Sequence, residues 1–390
     1  MATRFVIGRA GSGKSRYLHD RLVDHVAADP LRSAAVVLVP KQATFNTQRR
    51  IATDPRLGGF LNVRVIAPDD LAELALTETG EAVGAPLNAS GRAMILSHLL
   101  RLHADAFTHF GRSAAQPGTA AAIDDAFGEF ERAGRDLCDI DDLIAANDAA
   151  PTTAQQALIR KLQDLCKLYG LYQKHLTDHD FDPYRRTVSA PDAVRQCPLL
   201  RRAIVVVDDF YEFTAAERSL IVALAQTAPQ TIIAMTFDPD SPIVTNPHYL
   251  PRELDVFHRT QSAYRKLHFA LTRVGIKADA PELCRHTSSF KSGAIAAVER
   301  NLDARTFTAG VSDDQVRFVE TPDAASEVEA AALQVKAWLR EGYRLRDCCV
   351  FARTLDAYEP LLSGAFAEHG ISFFVDRRRE ARHHPLVRTL

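Results

Sequence analysis

Two rhythms of apolar residues alternate along the chain. Short, largely apolar runs, Arg4–Ile7, Ala34–Val39 (uninterrupted and closed by Pro40) and Val63–Ile66, read as strands. An uninterrupted run is what a parallel strand covered on both faces requires. Between them lie stretches of helical period, the first running from the Gly8–Ser15 turn to about Ala28. Strands and helices at this spacing predict a doubly wound α/β fold with a parallel sheet.

From about Pro86 the rhythm becomes helical throughout. Ile95, Leu99, Leu102, Ala106 and Phe110 recur at helical period, as do Leu158, Leu162, Leu165, Tyr169, Tyr172 and Leu176. Ser113–Ala122, with Pro117-Gly118, reads as a loop between them. Residues 85–178 are therefore expected to form an all-helical insertion. The α/β pattern returns with Ala203–Val207 as a strand, Ala216–Gln226 as a helix and Thr231–Thr236 as a strand. The stretch 239–310, rich in Arg and His, carries no clear pattern. A second α/β unit is expected from residue 312, with strands Val316–Val319, Cys348–Ala352 and Ile371–Val375 and helices Ser326–Arg340 and Tyr358–Glu368. That unit stops before its sheet can close, so the chain reads as a fragment of a longer polypeptide. The expected boundaries are 1–84 and 179–311 for a split first domain, 85–178 for the insertion and 312–390 for the truncated second domain.

Composition narrows the function classes. With 390 residues, 46% hydrophobic and 25% charged, the chain is an ordinary globular protein of two or three packed units. Its net charge of −2 gives no overall basic field, so any nucleic-acid contact must come from a local patch. No apolar run approaches the roughly 18 residues of a membrane span. The six cysteines form no CxxC pair, which fits a reducing, cytoplasmic setting without a disulfide framework or zinc site.

The strongest chemical signal is Gly8-Arg9-Ala10-Gly11-Ser12-Gly13-Lys14-Ser15, which fits G-x-x-x-x-G-K-[ST] directly after a strand and before a helix. Its glycines let backbone N–H groups converge on phosphate oxygens, and the helix adds the positive end of its dipole. Lys14 would pair with the β and γ phosphates of ATP, and the Ser15 hydroxyl would hold Mg²⁺. The second element is Ile204–Val207 ending in Asp208-Asp209. Asp208 would complete the Mg²⁺ site, and either Asp209 or Glu212 would orient an attacking water.

Four blocks in order resemble the AddB family, the B subunits of bacterial ATP-dependent helicase/deoxyribonucleases. They are Phe5–Lys14, Val39–Phe45, Val207–Thr214, and Phe373–Arg378 with His383-His384-Pro385-Leu386. AddB is similar to superfamily 1 helicases of the UvrD/RecB type. The resemblance therefore implies a P-loop RecA-like domain with a helical insertion, followed by an incomplete second RecA-like domain. Asp180-Phe181-Asp182 resembles the block by which the chain re-enters the first domain. Thr44 and Phe45 fall in the segment that touches single-stranded DNA in such motors, and an aromatic face stacks on any base. The alternative for Phe45 is a place in the core, and for Arg49-Arg50 a solvated helix face instead of phosphate contact. Arg353 resembles an arginine that follows a strand of the second motor domain. Arg377, Arg378, Arg379, His383 and His384 form a cationic cluster, which without an acidic partner does not read as a metal site.

The departures matter as much. Active superfamily 1 helicases carry Asp-Glu-x-Gln-Asp, whereas here Asp209 replaces the glutamate and Tyr211 the glutamine. The next strand ends Met235-Thr236-Phe237-Asp238, without the glutamine of a Gly-Asp-x-x-Gln sensor, and residues 239–310 hold no clear Tyr-Arg-Ser block. Because an arginine finger is worth about 10³–10⁵ in rate, the expectation is ATP binding with weak or no hydrolysis by this chain alone. The resemblance further implies an AddA-like helicase-nuclease partner acting as principal motor, DNA (single-stranded or a duplex end) as the shared substrate, and a nuclease domain with an iron–sulfur cluster outside these residues. Two readings remain: a nucleotide-binding recognition subunit, or an active superfamily 1 translocase. An unrelated P-loop ATPase or kinase would leave the insertion and the second α/β unit unexplained.

Overall fold

The apolar runs become strands whose two faces are both covered. A computed structural model describes residues 2–57, 62–80, 87–116, 118–132, 152–179, 185–285, 290–302 and 314–375. It forms two compact units, Met1–Val311 and Ser312–Leu390. The first unit is built on a six-stranded parallel sheet ordered β3-β2-β4-β5-β1-β6. Its strands are β1 (Ala2–Gly8), β2 (Ala34–Leu38), β3 (Val63–Ile66), β4 (Ala203–Val207), β5 (Gln230–Thr236) and β6 (Glu282–Cys284).

Successive side chains alternate between the faces. Phe5, Ile7, Val36, Leu38, Val205, Val207, Ile233 and Met235 point to one core. Val6, Ala35, Val37, Ile204, Val206, Ile232 and Ala234 point to the other. Helices α1 (Lys14–Ala28) and α2 (Thr44–Ala52) contribute Leu18, Leu22, Val23, Val26 and Ile51 to the second core. Helices α3 (Pro68–Thr79), α7 (Arg185–Gln196), α8 (Ala215–Thr227) and α10 (His258–Arg273) close the first. The unbroken apolar character of the strands thus follows from burial on both sides.

Helices α4 (Ala89–Leu102), α5 (Thr119–Arg132) and α6 (Thr153–Asp178) share a separate core around Leu96, Leu100, Phe127, Leu168 and Tyr172. The helical period expected to run through Phe110 stops at Leu102. Beyond it the chain turns through short 3₁₀ segments that bury Phe107 and Phe110. Asp164, on α6, fixes this turn by accepting from the amides of Thr108, His109 and Phe110 at 3.2, 2.6 and 3.0 Å. The expected loop is shorter than its sequence suggested, because α5 already begins at Thr119.

Residues 239–310, unpatterned in sequence, supply α9 (Pro242–Thr245), α10, the edge strand β6 and α11 (Gly293–Asn301). The second unit contains α12 (Ala324–Arg340) and α13 (Glu359–Glu368), packed through Val328, Ala332, Val335, Leu362 and Phe366. Its three expected strands are not formed: Val316–Val319, Cys348–Ala352 and Ile371–Val375 are extended but carry no ladder among the described residues. A parallel sheet needs cover on both faces. Here Phe318, Phe351 and Phe374 remain 95%, 90% and 87% exposed, so no described residue covers these side chains. Asp180-Phe181-Asp182, Cys138, Asp376, Arg377, Arg378, Arg379, His383, His384, Pro385 and Leu386 lie outside the described residues.

Candidate functional site

Because every strand of the sheet runs the same way, Gly8, Leu38, Val207, Thr236 and Cys284 all end at one edge. In open α/β sheets that edge is where ligands sit. β5 lies between β1 and β4, so the Gly8–Ser15 loop and Asp208 rise from strands separated by a single strand.

The loop closes tightly. Gly11 and Gly13 adopt φ of 70° and 87°, a region costly for residues with a Cβ. At Gly8 a Cβ would stand 2.7 Å from the Cys284 carbonyl oxygen and would also strike Ser12 Oγ. Gly13 caps α1 without any side-chain hydrogen bond to its first turn, and no acidic residue occupies that turn. The first amides of α1, and the positive end of its dipole, therefore remain available to an anion. Ser12 Oγ is buried with no hydrogen-bond partner, the kind of orphan a bound group would satisfy. A cavity of about 330 Å³ opens here, lined by Gly11, Gly13, Lys14, Ser15, Arg16, His19 and Arg50.

Lys14 is only 8% exposed and donates from Nζ to the Arg9 carbonyl at 2.8 Å. Burial lowers its pKa below the usual lysine value, while the nearby charges of Asp208, Glu299 and Asp209 pull it back up. Asp208 is likewise buried. Its amide donates to Leu38 O, and its Oδ1 accepts from the Asp209 amide at 2.9 Å. Asp209 holds φ at 67°, the one non-glycine residue with positive φ among those described. Such a strained conformation is a mark of a site. Partial desolvation, then the adjacent Asp208 charge, push its carboxyl above the ordinary value, opposed by Arg50 and Lys14.

The structure sorts the Val207–Thr214 block by role. Phe210 and Phe213 are buried against each other at 5.2 Å, and Thr214 caps α8 in a reciprocal pair with Glu217. Tyr211 and Glu212 are exposed. The loop, Asp208 and Asp209 are thus brought together, while Glu212 makes no described contact to them.

Arg9 is held by α11. Its guanidinium donates to Glu299 Oε1 at 2.8 Å and to Glu299 O at 2.6 Å, and it lies 5.1 Å from the Phe257 ring centroid. Ala10 is exposed, and Phe290 abuts Gly11. Glu299 and Phe290 lie in the region without sequence pattern, so no local signal pointed to them. His19 was legible in principle, since it follows Ser15 by one helical turn.

On α2, Phe45 is 70% exposed, which removes the core alternative for it. Thr44 donates to Lys41 O at 2.8 Å, and Arg49 and Arg50 are exposed. Arg353 belongs to the second unit, where it is exposed. Among the described residues no three or more His, Cys, Asp or Glu side chains gather to hold a metal unaided, and no helix is long and apolar enough to cross a membrane.

The family model "ADDB, N-terminal" matches residues 5–299. The chain is similar to the B subunit of the ATP-dependent helicase/deoxyribonuclease from Heliobacterium modesticaldum, at 33% identity over 99% of this chain and 32% of that protein. Proteins of the same description match from Pelotomaculum thermopropionicum at 31% and from Bacillus subtilis at 26%, each over 99% of this chain and 33% of the relative. The chain spans about a third of the length of these relatives. The match to the family model, which spans three quarters of the chain, shows that this chain belongs to the AddB N-terminal family.

Proposed function

We propose that this chain is the nucleotide-binding, DNA-engaging part of an AddAB-type helicase-nuclease that processes double-strand DNA ends for recombinational repair. In this reading it serves recognition and does not drive translocation by itself. The observation that carries it is the uncapped start of α1 beside the buried Lys14 and Asp208, at the carboxyl edge of a parallel sheet.

In this reading Gly8–Ser15 is a P-loop. The amides of Gly11 to Ser15 and the orphaned Ser12 hydroxyl receive phosphate oxygens, and the Lys14 ammonium exchanges the Arg9 carbonyl for phosphate. Ser15 and Asp208 would hold a Mg²⁺ that arrives with the nucleotide, whose phosphates and waters complete the shell. That ion supplies charge neutralisation at the β and γ phosphates. The order β4-β5-β1 supports a RecA-like domain, with 85–178 as its helical insertion and 312–390 as the start of a second such domain. Thr44, the exposed Phe45 and Arg353 would meet DNA, Phe45 by stacking. The partner would be an AddA-like motor subunit, in the cytoplasm.

Recognition is favoured over an autonomous motor by Tyr211, which stands where one coupling glutamine would be, and by the strand end Met235-Thr236-Phe237-Asp238, which lacks the other. Tyr211 is exposed, and its single hydroxyl does not offer the separate donor and acceptor of an amide. The competing reading, an active translocase, draws on Asp208 and Asp209 both lying within electrostatic reach of Lys14. Nucleotide binding and DNA-stimulated hydrolysis, measured for the wild type and Lys14→Ala with and without the motor partner, separate the two. The expected result is ATP binding that Lys14→Ala abolishes, with little turnover by this chain alone. Strong DNA-stimulated turnover without a partner would establish the translocase instead.

A further inference from the structure

The cavity at the start of α1 has one wall that neither the loop nor α1 supplies. That wall is Arg50, near the end of α2. Several contacts fix the backbone from which it projects. Its neighbour Ile51 is 1% exposed in the core shared with Leu18 and Leu22 of α1. Thr53 Oγ1 donates to the Arg49 carbonyl at 2.9 Å and closes the end of the helix. Just beyond, Asp54 Oδ2 lies 2.7 Å from His19 Nε2 on α1, and Arg56 bridges Asp54 and Asp20 at 2.8 and 2.7 Å. The end of α2 is therefore tied to the helix that carries Lys14 and Ser15.

The Arg50 side chain itself is exposed and makes no ion pair or hydrogen bond among the described residues. It is near enough to Asp209 to stabilise that carboxylate, as Lys14 also does. A guanidinium facing an anion cradle across an open cavity has the planar donor fork that suits a terminal phosphate. Arg49, adjacent on the same exposed helix, does not line the cavity.

Resting on the P-loop reading, we infer that Arg50 contacts the terminal phosphate of a bound nucleoside triphosphate, a role separate from any DNA-backbone contact of α2. The same helix exposes Phe45 at its first turn.

The test compares ATP and ADP affinities of the 390-residue chain with those of Arg50→Ala, Arg50→Lys, Arg49→Ala and Lys14→Ala, together with oligo-dT binding in the absence of nucleotide. All the arginine variants are at exposed positions, and thermal melting checks that they fold. Arg50→Ala is expected to weaken ATP binding by about tenfold and ADP binding by less than about twofold, with Arg50→Lys intermediate. Arg49→Ala is expected to change neither. Loss of ATP affinity in Lys14→Ala but not in Arg50→Ala would overturn the Arg50 assignment alone. Unchanged ATP affinity in Lys14→Ala would overturn the P-loop reading. A loss of oligo-dT binding in Arg50→Ala with ATP affinity intact would assign the residue to the DNA backbone and overturn the inference.

Discussion

Arg9 and Glu299, separated by 290 positions in the chain, are joined by a hydrogen-bonded ion pair of 2.8 Å that holds α11 over the Gly8–Ser15 loop. The pair places a carboxylate close enough to Lys14 to favour its charged form, and that carboxylate opposes an incoming phosphate. Glu299→Gln keeps an acceptor for Arg9 and removes the charge. We expect ATP affinity to rise by about fivefold, equivalent to ~1 kcal/mol. Titration with a fluorescent ATP analogue measures it, and a fall in affinity would show that the charge is needed to shape the loop.

Lys14 gives a pH signature. Burial lowers the pKa of the free protein below the usual lysine value of 10.5, and a bound phosphate raises it. Binding therefore takes up a proton in the pH window between the free and the bound values. Nucleotide affinity should hold near neutrality and fall as pH rises through a midpoint below 10.5. Affinity measured from pH 7 to about 10.5 checks the direction; a flat profile would remove Lys14 from the phosphate contact.

Gly8 tolerates no side chain. In Gly8→Ala the new Cβ would lie 2.7 Å from a backbone oxygen of β6, which cannot swing aside as Ser12 can. The expected cost is about 1–3 kcal/mol of stability, with loss of nucleotide binding as the loop shifts. Denaturant unfolding and ATP titration of the variant read the two effects separately.

Asp164 is a structural residue of the helical core. It is 4% exposed and serves three consecutive backbone amides, so Asp164→Ala leaves buried donors unpaired. We expect a loss of about 3 kcal/mol, and a smaller one for Asp164→Asn, which retains a single acceptor oxygen. Urea unfolding measures both. Because the residue is remote in sequence and role from the loop, ATP affinity of folded protein should not change.

Much of the site could be read before the fold was known because its parts are local. A strand, a glycine turn and a helix start are consecutive in Arg4–Ala28, and their geometry follows from φ/ψ preferences and uncapped amides within one loop. The capping of α8 by Thr214 and Glu217 is equally local. The exposure of Phe45 is not. Only the packing of Ile51 inward decides which side of α2 faces solvent.

Sequence by itself determined the two-sided parallel sheet, the Gly8–Ser15 loop at its edge and the membership of Asp208 in the strand-end acids, since burial on both faces writes itself as unbroken apolar runs. Tertiary structure alone decided that β5 separates β1 from β4, that α11 brings Glu299 to Arg9, and that Arg50 faces the cavity. It also decided that the extended segments of the second unit stay unpaired, with Phe318, Phe351 and Phe374 exposed. The physical reason is common to all four. Each depends on partners distant in the chain, whose approach is set by the packing of whole helices and sheets and leaves no periodic trace in the residues between.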